Sequence, residues 1–235
     1  SLIKFAKSKT KKTLVSIFVN PSQFNDKKDF AQYPRNFKND ISILKKLKVD
    51  YVFLPSNEEI YKRGINKKIK ILKKDIVLCA KYRKGHFQGV LAVMNRFMNN
   101  INASHVFLGE KDFQQIYLIK KYLQNKSKSK IVSFKTIRNS NKLPLSSRNI
   151  LLSNKFINKS EKISKLLFSF KKKLSSNFVN IKLLKSYKSQ IRKFCDKIEY
   201  LEIRNNKNLS KNISGKNFRI FIAYWQSGTR LIDNI

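Results

Sequence analysis

The sequence predicts an α/β protein with a largely parallel sheet, followed by a smaller α+β domain, and three observations carry that expectation. Short β-branched and aromatic runs alternate with segments of helical period across residues 1–138. Two of the runs stop at a proline turn, as Val19 does before Asn20-Pro21 and Leu54 before Pro55. Beyond Asn149 the texture shifts to two long amphipathic stretches and two short strand-like runs.

In chain order, Ser1 to Lys12 places Leu2, Ile3 and Phe5 ahead of several lysines and reads as the tail of a helix. Thr13 to Val19, TLVSIFV, reads as a buried strand whose carboxyl end lies where an open α/β sheet puts its ligands. Phe37, Ile41, Leu44 and Leu47 recur at helical spacing and give Asn36 to Leu47 one apolar face. Val49 to Leu54 is the next strand, and the basic stretch from Tyr61 to Lys84 shows no clear period. Gly89 to Ile101 reads as a helix, His105 to Leu108 as a strand, Gln114 to Leu123 as a helix and Ile131 to Ile137 as a strand. Ile163, Leu166, Leu167 and Phe170 form one later helical stripe, and Leu184, Tyr187, Ile191 and Phe194 form another. Ile198 to Ile203 and Phe218 to Ala223 close the chain as short strands, so the expected domains are 1–148 and 149–235.

A chain of 235 residues with 41% hydrophobic content is long enough for one substantial core or two modest ones. Its 52 Lys and Arg against 14 Asp and Glu give a net charge of +38, which would attract polyanions if the charge were gathered. The excess comes from 42 Lys, beside 24 Asn, and lysines occur in nearly every segment. That dispersal favours a compositional bias over a dedicated nucleic-acid surface, and no specific nucleic acid is expected. A basic nucleic-acid-binding protein stays as the alternative, with stacking aromatics along one lysine groove as its mark. Cys79 and Cys195 lie far apart without metal-like spacing to either histidine, and read as free thiols of a reducing compartment. No apolar run is long enough to span a bilayer and no leading segment resembles a secretory signal, so a cytoplasmic protein is expected.

Three constellations carry chemistry. In FLGEKDFQQ, Phe107 to Gln115, Gly109 suits close approach to phosphate or an unusual dihedral, and Lys111 can neutralise phosphate charge. Asp112 can cap the next helix or help hold a divalent ion, and Gln115 offers both a donor and an acceptor. In LPLSSRN, Leu143 to Asn149, Ser146 and Ser147 can bond phosphate oxygens while Arg148 clamps them, although the same residues equally make a helix cap and a surface cation. In VNPSQF, Asn20 and Gln23 supply amides for a small polar acid and Phe24 an apolar wall; an ordinary turn is the plainer reading. His86, in RKGHFQG, suits either a phosphate contact or a satisfied structural role, whereas His105 opens an apolar strand and reads as structural. Neither a zinc site nor a Ser-His-acid arrangement is traceable.

Together VSIFVNPSQF (Val15 to Phe24), YPR (Tyr33 to Arg35), GHFQGV (Gly85 to Val90), FLGEKDFQQ, LSSRN (Leu145 to Asn149) and GTRLIDN (Gly228 to Asn234) resemble the pantothenate synthetase family. The matches fall in the family's order over nearly the whole chain. The resemblance implies a Rossmann-like domain of nucleotidyltransferase type, a smaller C-terminal domain and a homodimer. It also implies ATP-dependent joining of pantoate to β-alanine through pantoyl adenylate, with pyrophosphate and AMP released. Carried over by motif, Asn20, Gln23 and Gln115 would serve pantoate. Gly109, Glu110, Lys111, Asp112, Ile137, Leu145, Ser146, Ser147 and Arg148 would contact ATP, with Lys111 and Arg148 catalytic. Mg²⁺ would bridge phosphates, with Asp112 its candidate protein ligand.

The sequence departs from the family pattern in places. A His-x-Gly-His motif expected upstream of Ser1-Leu2-Ile3 is not in these residues, which leads to the expectation of a fragment or of a catalytically impaired homologue. Asn141-Lys142 stands where the family commonly has Asp-Gly, Pro144 replaces a small residue, and Lys84 replaces a proline.

Overall fold

The computed structural model describes residues 1–24, 27–61, 69–174, 181–213 and 217–235, and its contacts divide the chain into two compact units. The first comprises Ser1–Ile76 and Ala80–Lys135; the second comprises Val77–Cys79 and Thr136–Ile235. Residues 136–148 thus group with the second unit, whereas the sequence division fell after 148. The reason is polar anchoring: Arg138 grips Asp233 with two hydrogen bonds of 2.7 and 2.8 Å. Asn139 and Asn141 both donate to Glu161.

In the first unit the order is α1 (Leu2–Lys7), β1 (Leu14–Ser16), α2 (Lys27–Gln32), α3 (Phe37–Lys46), β2 (Tyr51–Phe53) and α4 (Asn57–Tyr61). There follow α5 (Cys79–Tyr82), which starts at the last residue grouped with the second unit, then α6 (His86–Asn100), β3 (His105–Gly109), α7 (Phe113–Leu123) and β4 (Lys130–Phe134). β1 pairs with β2 and β3 with β4, both parallel, so each pair is joined by a helical crossover. The described residues form these as two separate two-stranded sheets, where the sequence suggested one larger parallel sheet. The strand expected at residues 13–19 is also shorter and less buried than predicted: Leu14, Tyr51 and Val52 are exposed. Its start is pinned instead by polar bonds, since Asp50 accepts from the backbone N–H and the hydroxyl of Thr13.

The core of this unit lies where α6 packs on α7, with Leu91, Leu118, Ile119 and Leu123 shut off from solvent. Phe5 of α1 covers the β3–β4 pair through Phe107 and Phe134. Phe97 of α6 receives Phe18 and Phe53 edge-on. These contacts set the strand ends against α6 and α7, which carry the candidate residues.

The second unit holds α8 (Asn154–Lys173), α9 (Ile181–Arg192) and the antiparallel sheet β5 (Lys197–Asn205), β6 (Phe218–Gln226), β7 (Thr229–Asn234) in that spatial order. Ile163, Leu167 and Phe170 of α8 and Tyr187 and Ile191 of α9 pack onto Ile220 and Ile222 of the central strand. The GTRLIDN motif is therefore strand β7. Ser227 and Gly228, both at positive φ, make the two-residue hairpin turn that starts it. Its Arg230 pairs with Glu199 and its Asp233 with Arg138, so the charged residues of this motif are engaged in holding the unit together.

Candidate active site

The first constellation follows the carboxyl end of β1. Asn20 is buried and caps a single 3-10 turn, Pro21–Gln23. Its Oδ1 accepts from the Ser22 N–H (3.1 Å), the Ser22 hydroxyl (2.8 Å) and the Tyr61 hydroxyl, while its Nδ2 donates to the Gly89 carbonyl (3.2 Å). The Asn20 amide is thus engaged in shaping its own loop. Gly89 lets that loop sit directly on α6, because an added Cβ would lie 2.4 Å from Ser22 Oγ and 2.8 Å from the Ser22 carbonyl oxygen. Gln23 is half-buried, and its carbonyl accepts from His86 and Arg83 at the start of α6. Phe24 meets Phe30 and Tyr33 edge-on in an aromatic cluster beside the turn. The sequence had marked His86 but not its partner Arg83 or the contribution of Tyr61, whose positions have no period or spacing that ties them to Gln23.

The second constellation follows β3. Gly109 has ordinary extended backbone (φ −80°, ψ 132°), and an added Cβ would meet nothing within 4 Å. Neither its backbone conformation nor packing among the described residues calls for glycine here. The unusual dihedral that the sequence allowed for Gly109 is not adopted. Glu110 accepts from the Ser133 hydroxyl of adjacent β4 (3.1 Å). Lys111 Nζ lies 3.9 Å from the carboxylate of Asp112, which is half-exposed. Asp112 occupies the N-cap position of α7 without a side-chain capping bond, so the plain helix-cap reading does not describe it. Gln115 lies within the first turn of α7, half-buried. A strand end, a lysine and a helix amino terminus in sequence are a favourable setting for a negatively charged group.

The third constellation lies in the second unit and forms a unit of its own. Leu145 N–H donates to the Ile137 carbonyl (2.9 Å), which brings Ile137 beside the LSSR segment. Asn139 Oδ1 accepts from the N–H groups of Asn141 and Leu143, closing the intervening turn. Ser146 caps a 3-10 turn, Ser147–Leu151, by accepting from the Arg148 N–H (3.3 Å), which matches the capping alternative for this serine. Ser147 is exposed and Arg148 half-buried at the opening of that turn. No group of three or more His, Cys, Asp or Glu side chains able to hold a metal occurs among the described residues, and both cysteines are free. No helix of the described residues is long and apolar enough to cross a membrane. His105 stacks on Phe107, in line with the structural role expected of it.

The family model for pantoate-beta-alanine ligase matches residues 1–235. The chain is 35% identical to the pantothenate synthetase of Sulfurihydrogenibium sp. (strain YO3AOP1), covering 100% of this chain and 86% of that one. It is 40% identical to the pantothenate synthetase of Leptospira interrogans (strain Fiocruz L1-130), over 97% of this chain and 82% of that one. Among solved structures, the Francisella tularensis pantoate-beta-alanine ligase complexed with beta-gamma ATP and beta-alanine matches at TM-score 0.84 and 36% identity, covering 100% of this chain and 82% of that one. The pantothenate synthetase of Thermus thermophilus matches at TM-score 0.90 and 27% identity, over 100% and 86% respectively.

Proposed function

We propose a two-step mechanism on the premise that the chain belongs to the pantoate-beta-alanine ligase family. The reaction is the ATP-dependent condensation of pantoate with β-alanine to give pantothenate. A carboxylate is a poor electrophile, so the acid must first be activated. In the first step the pantoate carboxylate oxygen attacks the α-phosphorus of ATP, forming the mixed anhydride pantoyl adenylate as pyrophosphate leaves. In the second, the neutral amine of β-alanine attacks the acyl carbon, the C–N bond forms, AMP leaves and the amine gives up a proton.

Gln23 and Gln115 bind pantoate, and Asn20 holds the turn from which Gln23 projects. Gly109, Glu110, Lys111 and Asp112 face the nucleotide, with Lys111 stabilising charge that develops on the phosphates. Ile137 and Leu145 contact the nucleotide, Ser146 and Ser147 bond the phosphates, and Arg148 clamps them as the second catalytic cation. The placing of Gly109 to Asp112 between the end of β3 and the amino terminus of α7, with Lys111 among them, is the observation that carries the nucleotide reading. The functional division we propose is residues 1–148 for nucleotide and pantoate and 149–235 as a smaller C-terminal domain. A half-exposed carboxylate without a capping bond suits Mg²⁺, which keeps most of its ligands as phosphate and water; Asp112 would hold it. When bound, the ion supplies neutralisation of phosphate charge.

A nucleotidyltransferase-type Rossmann arrangement is the fold we assign to the two parallel strand pairs. ATP as co-substrate and two free thiols suit the cytoplasm, and a homodimer is the expected assembly. The deciding experiment is isotope exchange: labelled pyrophosphate should enter ATP in the presence of pantoate and the absence of β-alanine. Exchange that requires β-alanine would overturn the adenylate route. Lys111→Ala should slow this exchange by roughly two orders of magnitude while the protein remains folded.

A further inference from the structure

The turn that carries Gln23 is held at its last residue by two side chains from much further along the chain. His86 Nδ1 lies 2.7 Å from the Gln23 carbonyl oxygen, Arg83 Nη2 lies 3.0 Å from the same oxygen, and Arg83 Nη1 lies 3.1 Å from His86 Nε2. A carbonyl oxygen only accepts and a guanidinium only donates. Taken by themselves, these three contacts fit one arrangement of protons. In that arrangement the imidazole is neutral, its Nδ1–H donates to Gln23, and its Nε2 lone pair accepts from Arg83. An imidazolium would lose that acceptor and set a second positive charge against the guanidinium.

We infer that Arg83 and His86 are positioning residues for pantoate: they fix the Gln23 backbone so that its side-chain amide is presented to the acid. The inference rests on the reading of Gln23 as a pantoate contact. The other end of the turn is tied to α6 as well, since Asn20 donates to the Gly89 carbonyl and Ser22 lies against Gly89 with no room for a Cβ. With both ends held, the Gln23 amide is set before pantoate arrives, and the ordering cost of binding is lowered. Without the clamp the turn keeps its ties through Asn20 and Ser22 but loses the one at Gln23, which the substrate must then order. Neither residue needs to touch pantoate for this effect.

The test is steady-state kinetics of His86→Ala, Arg83→Ala, His86→Asn and Gln23→Ala. Loss of a hydrogen bond in the clamp should raise the KM for pantoate about tenfold, leaving kcat and the KM values for ATP and β-alanine within about twofold. The Asn side chain can place an N–H near the Nδ1 position, so His86→Asn should recover most of the loss. Partial unfolding would instead lower the active fraction and hence kcat, with the pantoate KM unchanged; that pattern would overturn the inference. If Gln23→Ala raises the pantoate KM and His86→Ala does not, the clamp fails while the Gln23 reading stands. If Gln23→Ala leaves the pantoate KM unchanged, both fall. A second measurement does not depend on turnover: the chain has two histidines, so ¹⁵N imidazole spectra can be assigned by His105 substitution. At neutral pH His86 should show a protonated Nδ1 and a bare Nε2, and the opposite tautomer or an imidazolium would sink the proposal.

Discussion

Lys142 adopts φ +74°, in the left-handed region where a Cβ crowds the backbone. It does so in the turn closed by Asn139, at the position where the sequence departs from an expected glycine. Lys142→Gly should therefore stabilise the protein by about 1 kcal/mol, read as a higher urea midpoint. Gly109 is the reverse case, because its backbone is one any residue adopts and its would-be Cβ faces open space. Gly109→Ala should leave the urea midpoint within about 0.5 kcal/mol of the parent and raise the KM for ATP severalfold. A drop in stability without a change in ATP kinetics would make this glycine structural. From the sequence both positions were visible as motif residues, but their opposite conformations were not, since φ is set by how the surrounding turn closes.

At the scale of elements, α7 is tied down by a buried carboxylate that sequence reading passed over. Asp75, in a 3-10 turn, accepts from the Tyr117 hydroxyl (3.0 Å), Lys121 Nζ (2.8 Å) and the Tyr122 hydroxyl (2.6 Å). Burial by itself pushes the Asp75 pKa up, but the hydrogen bonds from Lys121, Tyr122 and Tyr117 outweigh it and hold the carboxyl below its usual value of 3.8. A folded pKa lowered in this way gives stability that is fully present above about pH 4 and is lost as pH falls through the folded value. Asp75→Asn should cost about 1 to 3 kcal/mol at pH 7, and the gap from the parent should narrow as pH falls below about 4. Guanidinium unfolding at pH 7, 5 and 3 would check it; a gap that widens toward acid would contradict it. The helices α3, α6, α7, α8 and α9 were legible because a 3.6-residue period is written in neighbouring residues. The strands were less so: β1 is short and largely exposed, and β7 was read as a motif rather than as a strand, because pairing partners lie far away in sequence.

For the whole molecule the +38 charge is the dominant long-range term. Like charges spread over a folded surface repel one another, and added salt screens that repulsion. The thermal midpoint should rise as sodium chloride is raised from about 20 to about 300 mM, across the range where the Debye length falls below the spacing of surface charges. A midpoint that falls with salt would mean that attractive ion pairs dominate. The sequence by itself determined the α/β pattern, the five helical stripes and the ordered motifs that identify the family, because each is carried by residues a few positions apart. Only the tertiary structure decided that Asn20 shapes its loop, that Arg83 and His86 hold Gln23, and that Arg138 meets Asp233 across 95 residues of chain. It also grouped residues 136–148 with the second unit. Such pairs depend on where the packed helices and strands bring the backbone together, and nothing in the local order of residues encodes that distance.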